Sequence, residues 1–176
     1  MSLARIAFVI VSVVAVAFAP AVLAQHAHGG DHAPYARMQD RPIKALSEQQ
    51  LADLRAGKGM SLALPAELNG YPGPSHALEL AEPLKLSATQ RARTQDLFTQ
   101  MQREAQAAGE EVIAAETALE TLFREKRATA DAVAAATTQA AQAHGRLRQV
   151  HLSYHLAMMD VLSSDQVAAY KRLRGY

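Results

Sequence analysis

The chain contains no cysteine. Disulfides are excluded, and so is a lipid anchor of the lipoprotein kind, which needs a thiol. A small domain without disulfides must be held by side-chain packing, by oligomerisation, or by both, because its core is thin. The chain also lacks a surplus of either charge. Arg5 is the only one of its 18 basic residues before Ala24, and all 17 acids follow it, so the part after Ala24 has a formal charge of zero. Such a chain presents no broad basic field to a nucleic acid. It has no Gly-rich phosphate loop and no nucleophile elbow. These absences argue against an enzyme. No proline interrupts the segment after Ser87, which leaves room for long helices.

What is present begins with an address. Arg5 is followed by an apolar run from Ile6 to Ala19, then Pro20 and Ala21-Val22-Leu23-Ala24. Small residues at −3 and −1 predict cleavage before Gln25, so residues 1–24 read as a secretory signal peptide. A core of roughly 14 residues is short for a membrane span, which needs about 20. An uncleaved anchor is the alternative. The remaining length suits one domain.

Residues 25–43 read as a flexible leader. Gln25 to Pro34 has no apolar period and holds His26, His28, Asp31 and His32, a composition that can bind a divalent metal weakly or serve only as a polar tether. Residues 44–176 read as a single all-α domain.

The helix starts are marked by a phrase used three times: Leu46-Ser47-Glu48-Gln49-Gln50, Leu86-Ser87-Ala88-Thr89-Gln90 and Leu162-Ser163-Ser164-Asp165-Gln166. In Leu-Ser-x-x-Gln the serine caps the amide at N3, and the glutamine at N3 reaches back to the cap amide. The leucine can pack on the fourth helical residue as a staple, Leu46 on Leu51 and Leu162 on Val167, but Leu86 has Arg91 there, a poor partner. The first helix should run from Ser47 to near Gly57. Residues 60–68 predict a short helical piece despite Pro65. Residues 69–74, Asn-Gly-Tyr-Pro-Gly-Pro, form a breaker segment. Pro74 then suits the first turn of a brief helix to Glu82, stopped by Pro83.

Two apolar seams come next. Phe98, Met101, Ala105, Ala108, Val112, Ala115, Leu119 and Leu122 alternate steps of 3 and 4, and so do Val133, Ala136, Ala140, Ala143, Leu147, Val150, Tyr154, Ala157 and Val161. Steps of this kind predict long helices over about 88–127 and 130–162. Their short connection favours an antiparallel hairpin. A last helix starts at Ser163 and turns Val167, Tyr170 and Leu173 to the bundle. The fold class predicted is all-α: a long antiparallel helical hairpin with short helices packed on it.

The second long helix carries the candidate site. His144, His151, His155 and Met158 point within about 60° of one another at 100° per residue. His151 and His155 are spaced i, i+4, and Met159 follows His155 at the same spacing. Imidazole and thioether donors suit zinc, nickel, cobalt or copper. Further ligands could come from Glu116 or Glu120 on the facing helix, from His76, or from the leader. The competing reading is structural: His144 and His151 each follow a seam residue, where a histidine commonly closes a core edge and bonds a facing carboxylate.

Signal peptide, His-containing leader, long helices and the Leu-Ser-x-x-Gln phrases at Leu86–Gln90 and Leu162–Gln166 together resemble the Spy/CpxP-type periplasmic proteins with Leu-Thr-x-x-Gln motifs. The resemblance is best over residues 84–176, and serine stands where the family often has threonine. It implies a thin, curved, all-helical periplasmic protein, often a homodimer. It also implies an ATP-independent chaperone or envelope-stress protein, with unfolded envelope proteins or an envelope sensor protein as partners and no required cofactor. The His-x-x-x-Met spacing is similar to that of metal-sensing relatives, which keeps a heavy-metal sensor or metal-binding resistance protein as the alternative. Residues 35–82 are longer and richer in Pro and Gly than the simplest members.

Overall fold

Three of the six described helices open as the phrase predicts. The computed structural model describes Tyr35 and residues 38–176. Ser47, Ser87 and Ser163 each accept from the N3 amide of Gln50, Gln90 and Gln166, and each glutamine side chain accepts from the cap amide in return. The leucines before these caps, Leu46, Leu86 and Leu162, are all buried. The helices are α1 (Glu48–Arg55), α2 (Leu64–Glu67), α3 (Pro74–Glu79), α4 (Ala88–Arg124), α5 (Ala130–Met158) and α6 (Ser164–Arg174). Among the described residues there is no strand, and no helix is long and apolar enough to cross a membrane. The signal peptide and most of the leader lie outside the described residues. The leader's last residue does not: Ile43 is buried in the core beside Leu46.

α4 and α5 form the hairpin. Tyr154 bonds Glu104, Arg146 bonds Glu111 and His144 bonds Glu116. Numbers fall on one helix as they rise on the other, which is antiparallel pairing. Both helices end earlier than the seams suggest. α4 stops at Arg124 because the chain turns through Lys126 at φ +55°. α5 stops at Met158, and residues 159–162 form a turn that delivers Leu162 to the core.

Burial along the hairpin is uneven. The seam residues Met101, Ala105, Ala108 and Val112 are buried on α4, joined by Leu97, Gly109 and Ile113. The buried face is wider than a two-helix seam because α1 and α3 also pack on α4. Leu51 and Leu54 of α1 meet Ala105, Ala108 and Val112 in one cluster. A second cluster joins Ala77 and Ala81 with Leu97, Met101, Tyr154, Met158 and Tyr170. Gly109 is what admits α1: a Cβ there would stand 2.5 Å from the Leu54 carbonyl oxygen. Past Ile113 on α4, and before Ala136 on α5, no residue is buried.

The open end of the hairpin is closed by a clasp. The Gln90 amide donates to the Val161 carbonyl (2.8 Å) and to Gln166 Oε1 (2.8 Å). The Gln166 amide donates to the Leu84 carbonyl (3.2 Å) and to Gln90 Oε1 (3.0 Å). Each glutamine therefore completes its own capping box and binds the other helix start. On α6 the prediction holds for Tyr170, which is fully buried, but Leu173 is 47% exposed. The short helix packs through Tyr170 and leaves its last turn outside.

Candidate functional site

α2 is a single turn, started by proline at its first positions. Local bonds fix the segment after it. The Asn69 side chain donates to the Pro65 carbonyl (2.8 Å), Gly70 turns the chain at φ +86°, and the Tyr71 amide returns to the Ala66 carbonyl (3.0 Å). Pro72, Gly73 and Pro74 are buried, and Pro74 starts α3. The breaker segment is thus a packed wall against α5. It places Glu67 from α2 and His76 from α3 opposite His151 and His155 from α5. The C-terminal residues Arg174 and Tyr176 complete the ring. These side chains line a cavity of about 580 Å³, in the size range of small-ligand sites.

Glu67 is the hub, and its two oxygens differ. Oε1 accepts from the hydroxyls of Tyr170 and Tyr176, lies 3.1 Å from His76 Nδ1 and 3.5 Å from Arg174 Nε. Oε2 is buried and has no hydrogen-bond partner. His155 Nδ1 is 3.7 Å from Oε2 but donates to the Tyr71 carbonyl at 2.6 Å. With the proton on Nδ1, His155 keeps a bare Nε2. His151 is 2% exposed, and its Nε2 is also buried without a partner. Two unpaired polar atoms on one cavity are unusual, since each costs about 1–3 kcal/mol when no water or ligand reaches it.

Burial lifts the Glu67 carboxyl, but the hydroxyls of Tyr170 and Tyr176, with a smaller electrostatic pull from the neighbouring His76 and His155 rings, outweigh it, so the group titrates below the ordinary glutamate value. Tyr170 and Tyr176 are pushed up, first by burial and then by Glu67, and remain donors. Burial, and then the nearby His155, pushes His151 down, which favours the neutral ring.

The structure brings together part of the set read from the sequence. His151 and His155 share the cavity, and His76 joins them. His144 does not: it is exposed and pairs with Glu116 at 3.0 Å. Glu120 is occupied by Lys44 at 3.0 Å. Met159 is the C-cap of α5, partly exposed and outside the cavity lining, while Met158 is core. Met159 keeps helical dihedrals as the cap, so its i, i+4 spacing from His155 holds, but that direction leads to solvent rather than to the cavity. His26, His28 and His32 lie outside the described residues. Among the described residues no group of three or more His, Asp or Glu side chains is already gathered as a metal cluster. Glu67, Tyr170, Arg174 and Tyr176 were not singled out by the sequence. One signal existed for the first of them, since Glu67 is the only charged residue in the apolar stretch 60–68.

The mouth of the cavity is apolar. Leu64 and Leu68 are 46% and 53% exposed at its rim, with Met60 beside them and Phe98 and Met101 further in. No family model, no curated protein and no solved structure matches the chain.

Proposed function

We propose that the chain is an exported, ATP-independent binding protein of the Spy/CpxP type, which shields apolar segments of unfolded envelope proteins. The observation that carries this reading is the cleft at the base of the hairpin. Its rim exposes Met60, Leu64 and Leu68 together, and exposed apolar surface gathered at a concavity marks a binding face. The polar floor can satisfy the backbone amides of an entering segment. No catalytic step is assigned to it. The test is suppression of aggregation of a chemically denatured client at equimolar ratio or below. A Leu64→Asp/Leu68→Asp variant should lose most of the protection while keeping its fold. An envelope sensor protein is the other partner the resemblance supports, and pull-down from envelope extract separates the two.

A second reading has its own observation. His151 and His155 open on the same cavity as Glu67 and His76, which supports a periplasmic metal sensor or metal-binding protein for zinc, nickel, cobalt or copper. A zinc-dependent rise in melting temperature, lost in His151→Ala/His155→Ala, supports it. Unchanged calorimetry with all four metals removes it.

A further inference from the structure

We infer that Glu67, His151 and His155 form a site for one divalent transition-metal ion at the floor of the cavity, with zinc the best fit. The inference rests on the metal reading above and replaces the ligands that helical spacing suggests, His144 and Met159, with a set drawn from two separate parts of the chain.

Three observations carry it. First, Glu67 Oε2 and His151 Nε2 are both buried without partners. The two side chains are 6% and 2% exposed, and both line the cavity. One is a carboxylate oxygen and the other an imidazole nitrogen, which are zinc donors. Second, His155 is arranged as a ligand is. Its Nδ1 donates to the Tyr71 carbonyl at 2.6 Å, and a ring whose far nitrogen is held by a carbonyl has its tautomer and direction set for a metal on the other nitrogen. Third, two of the donors come near one another beside Gly73. A Cβ there would stand 2.9 Å from His155 Nε2 and 3.6 Å from Glu67 Oε2, so the absence of a side chain at residue 73 is what lets both atoms approach the same backbone.

The surroundings agree. Tyr170, Tyr176 and His76 all hold Oε1 of Glu67, so the carboxylate is fixed through one oxygen with the other free. Such outer bonds to a ligating carboxylate are what metal sites use to orient it. Arg174 lies 3.5 Å from Oε1, and its side chain is 31% exposed, so water screens its charge from an ion at Oε2. His151 and His155 are one helical turn apart, which puts their rings side by side. Zinc bonds to nitrogen and oxygen are about 2.0–2.2 Å, so an entering ion has to draw the three donors together, with water in the fourth position.

The test is zinc titration of the full chain against a chromophoric chelator, with cobalt absorption as a geometric probe. The expected result is one equivalent of zinc in the cavity, with a tetrahedral cobalt spectrum. Glu67→Gln and His155→Gln should each weaken zinc by more than the roughly 10- to 100-fold that loss of an outer-shell partner costs. His144→Gln and Met159→Leu should leave it unchanged. Imidazole ¹⁵N shifts of the unaltered protein guard against variants that fail to fold. His151 Nε2 and His155 Nε2 should move on adding zinc, separately from any signal of His26, His28 and His32. Tight zinc that depends on His144 or Met159 would overturn this ligand set while keeping the metal reading. Zinc confined to the leader histidines, or none at all, would overturn both. Neither result touches the client-binding reading, which the aggregation assay decides alone.

Discussion

The two ends of the hairpin are built differently. At the tip, from 114 to 135, no residue is buried, and Lys44 reaches Glu120 only through an ion pair and one amide bond. At the base the same helices are wrapped by α1, α3 and α6, clasped by two glutamines, and closed around a buried carboxylate. The lesson is that the repeating pattern of this sequence makes the rod, while the irregular segments make the site. Alanine-rich seams bring two helices together with little area per turn. Stability and chemistry then concentrate where the short segments add side chains from a third direction.

The largest predicted contrast comes from leucine truncation. Leu147 is 2% exposed and shares a cluster with α1 and α4, and Leu147→Ala should lose about 2–5 kcal/mol. Leu122, half-buried at the tip, should lose about 1 kcal/mol or less on the same change. Chemical denaturation measures both, and equal losses would break the comparison.

The clasp comes next. Gln90→Ala leaves the Val161 carbonyl without its partner, takes one of two acceptors from the Gln166 amide and opens a capping box, and should lose about 1–3 kcal/mol. Gln166→Ala should do the same. In the double variant the losses should fall short of additive, because each single change already breaks the shared bonds.

Glycines sharpen the contrast further. Gly109→Ala puts a Cβ 2.5 Å from backbone of α1, so the usual helical gain of about 1 kcal/mol is replaced by an overpacking loss of about 1–3 kcal/mol. A Cβ on Gly145 meets nothing within 4 Å, and Gly145→Ala should stabilise by about 1 kcal/mol. Melting temperatures of the two variants should move in opposite directions.

The smallest effect concerns acid. The Lys44 ammonium beside Glu120, with the Lys44 amide, holds its carboxyl below the ordinary value of 4.5. A depressed folded value gives a contribution present above the unfolded value and lost as pH falls through the lowered one. Amide signals around Ile43 should therefore loosen in acid before those of α4. Lys44→Met, which keeps the amide bond but not the ammonium, should reduce the difference.

Local signals were the legible ones. A capping box lies within four residues, so Ser47, Ser87 and Ser163 declared their helices, and the seams declared the hairpin. His151 and His155 were legible because one helix carries both. Glu67 was not, because its hydroxyl partners Tyr170 and Tyr176 lie 103 and 109 positions away. No periodicity reports a contact of that span. The second duty of Gln90 and Gln166 was hidden for the same reason, since the sequence shows each cap but not that the two caps meet. Residues 35–82 have short pieces and turns, whose packing is decided by Gly57, Gly73 and Gly109 admitting close neighbours.

Native-state hydrogen exchange along α4 tests the central claim most directly, namely that the base and not the tip is the finished end of this molecule. The account predicts that amides from Leu97 to Ile113 exchange only through global unfolding, while those past Glu116 open locally and exchange faster. Uniform protection along the whole helix would contradict it.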